Sequence, residues 1–390
     1  MSNTICSPHL CTGCGACVAV CPKHCISLQP NRQGHLLRQI DEKACVNCNL
    51  CRKICPVNTP VQLHEPQSCY AAWAKDEKDR TTSSSGGASS IFSTYFIEQG
   101  GVVYGAALEN NKIQHIRVDN MQGLSRLKGS KYVYSYAAGI YKQIKQDLAD
   151  GKQVLFIGTP CQNAAVYNLV GEDPHLTLVN LICHGVPSMQ MLTDHLKTKK
   201  ITKIQNIQFR NNNNKYKFVC NDYRAYERLW PDVYMTLFLN GVTYRPSCYQ
   251  CTYAQSKRLG DITIGDFWGL GRKTTFEGGD TTKGCSVIIV NTNKGKTLLT
   301  ACSDKFTLFK REYAEAVAGN GQLRAPYPYT RYAKRFNELY PRYSFRRAAL
   351  YSSALILMIG QVKLLVKKYA PQKVQQICLK FYKYFKRIWK

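Results

Sequence analysis

The chain has 390 residues, with 53 Lys plus Arg against 25 Asp plus Glu, a net charge of +28, and 19 Cys. At roughly 150 residues per domain this length points to two or three domains, and a hydrophobic share of 44% with 11% aromatics excludes a disordered chain. So many cysteines do not suit an ordinary cytosolic enzyme, and the chain is too long for a disulfide-stapled mini-domain.

Met1 to Cys6 lacks a basic start followed by an apolar run, so export is not expected. Thiolates holding metal then explain the cysteines better than disulfides do. Cys11, Cys14, Cys17, Cys21 and Pro22 recur at an offset of 34 as Cys45, Cys48, Cys51, Cys55 and Pro56. This internal repeat has the C-x2-C-x2-C-x3-C-P spacing of iron–sulfur proteins. Three thiolates two residues apart wrap three corners of one 4Fe–4S cube, and the fourth reaches the other cube. One cluster then takes Cys11, Cys14, Cys17 and Cys55, and the other Cys45, Cys48, Cys51 and Cys21. Gly13 and Gly15 let the backbone approach the sulfides. Zinc sites more often pair two separated CxxC units. Residues 1–60 resemble the two-cluster bacterial ferredoxins, which move single electrons and carry no substrate chemistry of their own.

Pro60 to Pro66 reads as a linker. A strand is expected over 68–73, a helix over 91–98 ended by Gly100-Gly101, and a hairpin over 102–118 turned at Asn110-Asn111. Two strand–turn–helix units follow. The first is a strand over 153–158 with a helix over 162–169; the second is a strand over 176–183 with a helix over 188–199. Strands over 261–265 and 286–290 and a helix over 294–302 complete the pattern. Such alternation argues a mainly parallel sheet. Residues 67–340 are read as one α/β domain or two closely packed parts, 67–150 and 151–340.

Two turns in this region suit a cofactor phosphate. Ser85, Gly86 and Gly87 precede a helix, whose free N–H groups favour an anion. Lys128, Ser130 and Lys131 put two cations and a hydroxyl on a glycine-containing loop. A serine and glycine before a helix also serve simply as a cap. Neither turn is a GxGxxG or Walker A loop. Cys161 and Cys183 fall at the C-terminal ends of strands, where open α/β sheets bind ligands, and Cys248 and Cys251 form a CxxC. These four could complete a third four-thiolate site. Buried free thiols, a zinc site or a redox dithiol are the alternatives. Cys220, Cys285, Cys302 and Cys378 read as ordinary thiols, and the roles of Cys6, Cys25 and Cys69 stay open.

Residues 341–390 hold 12 Lys plus Arg and no Asp or Glu. The uncharged stretch Ala348 to Val362 spans 15 residues, short for a bilayer crossing. Pro371 divides the tail into two expected helices. A basic helix with an apolar face suits an anionic membrane surface. Packing on the protein itself or docking to a partner is the alternative. Nucleic acid is disfavoured, because no DNA- or RNA-binding motif accompanies the charge.

Taken in order, Ser85-Gly86-Gly87, Lys128 to Tyr132, Gly158 to Gln162, Cys183-His184-Gly185, Cys248 to Cys251 and Asp261 to Gly269 resemble the beta subunit of coenzyme F420 hydrogenase/dehydrogenase. The resemblance runs over about 68–340. It is nearest the dicluster-ferredoxin group found among bacterial polysaccharide-biosynthesis proteins. It implies a bound FAD or FMN and a third 4Fe–4S cluster on Cys161, Cys183, Cys248 and Cys251. The flavin would lie over Ser85, Gly86 and Gly87, over Lys128, Ser130 and Lys131, and over Gly158, Thr159 and Gln162. His184 and Asp266 are the candidate proton donors, His184 being equally suited to hydrogen-bonding a neighbouring ligand. The expected architecture is an α+β ferredoxin-like dicluster domain (1–60), an α/β flavoprotein domain (67–340) and a basic amphipathic helical tail (341–390). The expected function is an iron–sulfur, flavin-dependent oxidoreductase, cytoplasmic or peripheral on the inner membrane face, serving cell-surface polysaccharide synthesis. The alternative is an electron-transfer subunit serving a separate enzyme. Reduced ferredoxin or F420 would be the redox donor, though no residue marks an F420 site.

Overall fold

The computed structural model describes residues 4–210, 217–227 and 230–371. Each cysteine run turns through two left-handed residues into a short helix. Gly13 and Gly15 (φ 69° and 82°) lead into α1 (Ala16–Val20). Their repeat mates Asn47 and Asn49 (φ 53° and 61°) lead into α2 (Leu50–Lys53). Glycine and asparagine are the residues that tolerate this conformation. Between the runs lies an antiparallel hairpin, β1 (Ile26–Pro30) and β2 (Leu36–Ile40).

The remainder is built on one sheet. Its elements begin with β3 (Ser68–Ala74), α3 (Glu77–Thr82), α4 (Ala88–Glu98), β4 (Val102–Glu109), β5 (Lys112–Val118), α5 (Met121–Leu124) and α6 (Tyr141–Ala149). They continue through β6 (Val154–Gly158), α7 (Pro160–Val170), β7 (Leu176–Leu181) and α8 (Met189–Lys197). A small antiparallel sheet follows, of β8 (Ile207–Gln208), β9 (Val219–Cys220) and β10 (Tyr223–Arg224), with α9 (Val233–Leu239) after it. Then come β11 (Ile262–Asp266), β12 (Ser286–Val290), α10 (Asn293–Ala301), β13 (Phe306–Arg311), α11 (Tyr313–Gly319), α12 (Arg331–Leu339) and α13 (Phe345–Tyr369).

The large sheet has eight strands in the order β13-β3-β12-β11-β7-β6-β4-β5. Strands from 67–150 and 151–340 therefore interleave. The expectation of a mainly parallel sheet needs correction: only the centre, β4-β6-β7-β11, is parallel, and the flanking pairs are antiparallel. At one edge the cause is local, a hairpin turned by Asn110 and Asn111 in left-handed backbone (φ 47° and 66°). At the other edge β13, not expected from the sequence, pairs with β3 more than 230 positions earlier.

The central strands are buried on both faces. Val103, Leu155 and Ile157 meet Phe92 and Phe96 of α4. Tyr104, Phe156 and Leu178 meet Ile144, Ala165 and also Ala16 of the cysteine module. The module is thus part of the core. Tyr134 Oη donates to the Gly13 carbonyl (2.6 Å), Tyr141 Oη to the Cys14 carbonyl (2.7 Å) and Ser188 Oγ to the Gln33 carbonyl (2.7 Å).

A separate core joins α8, α9, α12 and the first turns of α13 through Leu192, Tyr234, Phe336, Phe345 and Ala348. The expectation of a stretch too short to span a bilayer is also corrected: 22 residues, Phe345–Val366, are long and apolar enough by length and composition. The helix bends at Ser353 (φ −137°). Its start is packed, while Tyr351, Leu355, Met358, Val362, Leu365 and Tyr369 are exposed along one stripe. The second expected tail helix, after Pro371, lies outside the described residues.

Candidate redox centre

The two cysteine runs differ in depth. Cys11, Cys21 and Cys55 are buried, whereas Cys48 is exposed beside exposed Val46 and Leu50. The start of the first run faces the α/β domain and Cys48 of the second faces outward, while Ile54 at the end of the second run packs against that domain beside buried Cys55. Burial pushes the Cys14 thiol up to about 12. A hydrogen bond from Cys6 holds Cys11 down at about 5, with the nearby Arg245 also lowering it against burial. Cys6 bonds Cys55 as well, bringing it to about 7. Cys25 Sγ lies 3.4 Å from Cys21 Sγ. Each of the two expected ligand groups thus has one further thiol against it, Cys6 beside Cys11 and Cys55 and Cys25 beside Cys21, which spacing alone did not reveal.

The C-terminal ends of the parallel strands open onto a cavity of about 760 Å³, within the range of ligand sites. Cys14 enters it from the module; Cys161, Cys183, Cys248 and Cys251 line it from the α/β domain. Cys161 is the second residue of α7, Cys183 follows β7, and the CxxC rides a 3-10 turn over Pro246–Gln250. These four thiols act on one another. Burial pushes Cys183 well above the ordinary thiol value, and the charges of Cys248, Cys161 and Cys251 push it further. Burial, then Cys251 and Cys161, raises Cys248 to about 12. Neutral thiols in such a place ionise when a metal coordinates them. Among the described residues no group of three or more His, Cys, Asp and Glu side chains is arranged to hold a single metal ion.

The residues expected to contact a flavin meet on the same cavity, but several carry packing duties. Ser85, Gly87, Lys128, Ser130, Lys131, Gly158, Thr159 and Gln162 line it. Gly86 does not; a Cβ there would stand 2.2 Å from the Ala72 carbonyl oxygen, so the glycine permits strand contact. Gly87 is left-handed (φ 92°) and begins α4 without a side-chain cap, and Ala88, Ser89 and Ser90 of that first turn line the cavity. Lys128 Nζ pairs with Asp79 (2.6 Å). Lys131 Nζ donates to the Leu127 and Lys128 carbonyls (2.9 and 2.8 Å), and burial lowers it to about 7. Thr159 and Gln162 bond each other as the capping box of α7.

Of the two proton-donor candidates, His184 is half-buried on the cavity wall beside Cys183. Asp266 ends β11 in an ion pair with buried Arg210. Burial holds its carboxyl above the usual range, while Arg210 and Ser85 oppose that. Sequence reasoning missed Arg210, His115 and Arg245, all of which line the cavity. No local motif marks the first two. For Arg245 the one hint is its place three residues before the CxxC.

Residues 151–315 match the family model for the C terminus of the coenzyme F420 hydrogenase/dehydrogenase beta subunit, and residues 10–59 match the 4Fe-4S dicluster domain. The chain thus carries an iron–sulfur electron-transfer module joined to an oxidoreductase-related region. An F(420)H(2) dehydrogenase subunit of Methanosarcina mazei is 22% identical over 187 residues, 45% of this chain and 53% of that protein. The match spans about half of that relative's length. A chain of the F420-reducing NiFe hydrogenase complex from Methanosarcina barkeri superposes with a TM-score of 0.47 at 15% identity, covering 71% of this chain and 94% of that one.

Proposed function

We propose that the chain is an iron–sulfur flavoprotein that passes electrons between its dicluster module and a flavin in the cavity. Cys161, Cys183, Cys248 and Cys251 hold a third 4Fe–4S cluster in this reading. One observation carries it: a single cavity is lined by Cys14 of the module, by the four thiols, and by the uncapped start of α4. The residues fit the groups. Four convergent thiols match a cluster's needs, and free helix N–H groups beside Lys128 match a cofactor phosphate. A bound flavin converts between hydride pairs and single electrons. The protein's own part is to hold, orient and shield: Tyr134 and Tyr141 fix the Gly13 and Cys14 backbone, and His184 offers a proton site next to Cys183.

The exposed Cys48 face, with Val46 and Leu50, is where a donor such as reduced ferredoxin or F420 would meet the chain. A second reading, electron transfer to a separate enzyme within a complex, is favoured by the same exposure and by the name of the Methanosarcina mazei relative, itself a dehydrogenase subunit. On the resemblance to the polysaccharide-associated group, sugar substrates of cell-surface polysaccharide synthesis are the class to try first.

The test is anaerobic purification with iron, sulfide and flavin counted per chain, for the wild type and for Cys161→Ser/Cys248→Ser. Three four-iron clusters and one flavin are expected, with one cluster lost in the variant. Two clusters without flavin in the wild type would refute the reading. Substrate turnover by the purified chain with an artificial donor separates enzyme from carrier.

A further inference from the structure

Arg245 is 1% exposed and heads the fully buried large side chains. Its Nη1 donates to the carbonyls of Cys11 (3.2 Å) and Leu36 (2.9 Å), and the guanidinium lies 5.1 Å from the Tyr134 ring centroid. Nε and Nη2 have no hydrogen-bond partner among the described residues, and neither described bond goes to a carboxylate. The plane of the group presses on Gly13, where a Cβ would stand 2.7 Å from Nη2. A guanidinium cannot shed its charge, and burying one without an anion is among the costliest arrangements in a fold. His35, a fully buried ring nearby, does not help: burial and the charge of Arg245 keep it neutral.

The missing negative charge must come from something around Arg245, and thiols stand on two sides. On one side Arg245 holds the Cys11 carbonyl; on the other its own carbonyl accepts from the Cys248 N–H (2.9 Å), and it lines the cavity together with Cys14, Cys161 and Cys183. The structure assigns Arg245 the role of shared counter-ion between the cluster on Cys11, Cys14, Cys17 and Cys55 and the centre on Cys161, Cys183, Cys248 and Cys251. This rests on the iron–sulfur reading of those cysteines. A fixed cation in a low-dielectric site favours the more negative state of each centre, so Arg245 eases their reduction. Its contacts to the Cys11 and Leu36 carbonyls also tie the module to the CxxC turn, which makes it a positioning residue rather than a catalytic one.

The test compares the loaded wild type with Arg245→Met and Arg245→Lys. Iron and sulfide are counted first, and each cluster signal is then titrated by spectroelectrochemistry and electron paramagnetic resonance. In Arg245→Met the one-electron equilibrium of at least one centre should move tenfold or more toward the oxidised form, about 59 mV more negative. Arg245→Lys, which keeps the charge, should stay within tenfold of wild type. A Met variant that fails to hold iron while the Lys variant loads also supports the role of charge. A fully loaded Met variant with unshifted titrations overturns the inference, and so does failure of both variants to load, which would make side-chain shape the requirement. A wild type without clusters removes the iron–sulfur reading itself, an outcome the iron count reports separately.

Discussion

Gly15 and Asn49 occupy equivalent places in the repeat and share a left-handed backbone, yet replacing each by alanine should have different consequences. An alanine in this conformation costs about 1–2 kcal/mol at either site. At Asn49 little else is added, because the residue is exposed. At Gly15 the new Cβ would stand 2.5 Å from the Ala138 Cβ and 3.2 Å from its Cα. Ala138 is held in a 3-10 turn beside the core, so it cannot retreat freely. Overpacking of this kind costs a further 1–3 kcal/mol or so. Gly15→Ala should therefore lose about 2–5 kcal/mol and Asn49→Ala about 1–2 kcal/mol. The assay is anaerobic urea unfolding of the loaded protein, with iron retention measured alongside. Equal losses at the two positions would refute the claim that Gly15 lies on the packed face of the module and Asn49 on its free face.

Acidification probes a different part of the cavity wall. His115 is buried, with its ring 2.9 Å from Ser135 Oγ and 3.2 Å from the Ile157 carbonyl, and burial lowers it to about 4. The unfolded chain takes up this proton near pH 6.5, so the stabilisation is complete above that value. It is lost as pH falls toward 4, at up to about 1.4 kcal/mol per unit. The gap in urea midpoint between wild type and His115→Phe should narrow over that window; a constant gap would sink the assignment. For the tail, we propose that the exposed stripe of α13, with the 12 basic and no acidic residues of 341–390, rests on an anionic bilayer. A second copy would bring like charge, and the packed start of the helix is closed to lipid. Flotation with anionic but not zwitterionic vesicles is expected, weakened by Tyr351→Asp/Met358→Asp. Equal flotation of wild type and variant would show that the stripe makes no contact.

Much of the chemistry was legible because it is written at short range. A cluster's corners lie a few ångströms apart, so its ligands follow one another at fixed spacing in each run. A parallel strand must be followed by a turn and a helix, so Cys161 and Cys183 could be placed at strand ends before any fold was known. The hairpin at Asn110-Asn111 announces itself through two residues that accept left-handed backbone. In each case the physical constraint acts within about ten residues, and the chain order preserves it.

The tertiary structure decided what depends on distant partners. Alternation of strands and helices cannot say that β12, β3 and β13 close the sheet with antiparallel pairs, because that choice follows from which edge each strand reaches. It cannot say that Lys128 and Lys131 are held by Asp79 and by backbone carbonyls, that Gly86 makes room for a neighbouring strand, or that the first turns of α13 are core. Least of all does it show that Arg245, more than 230 residues from Cys11, completes the surroundings of the first cysteine run. Residue type and spacing select the ligands of a redox centre; long-range packing sets the charge and solvent around them.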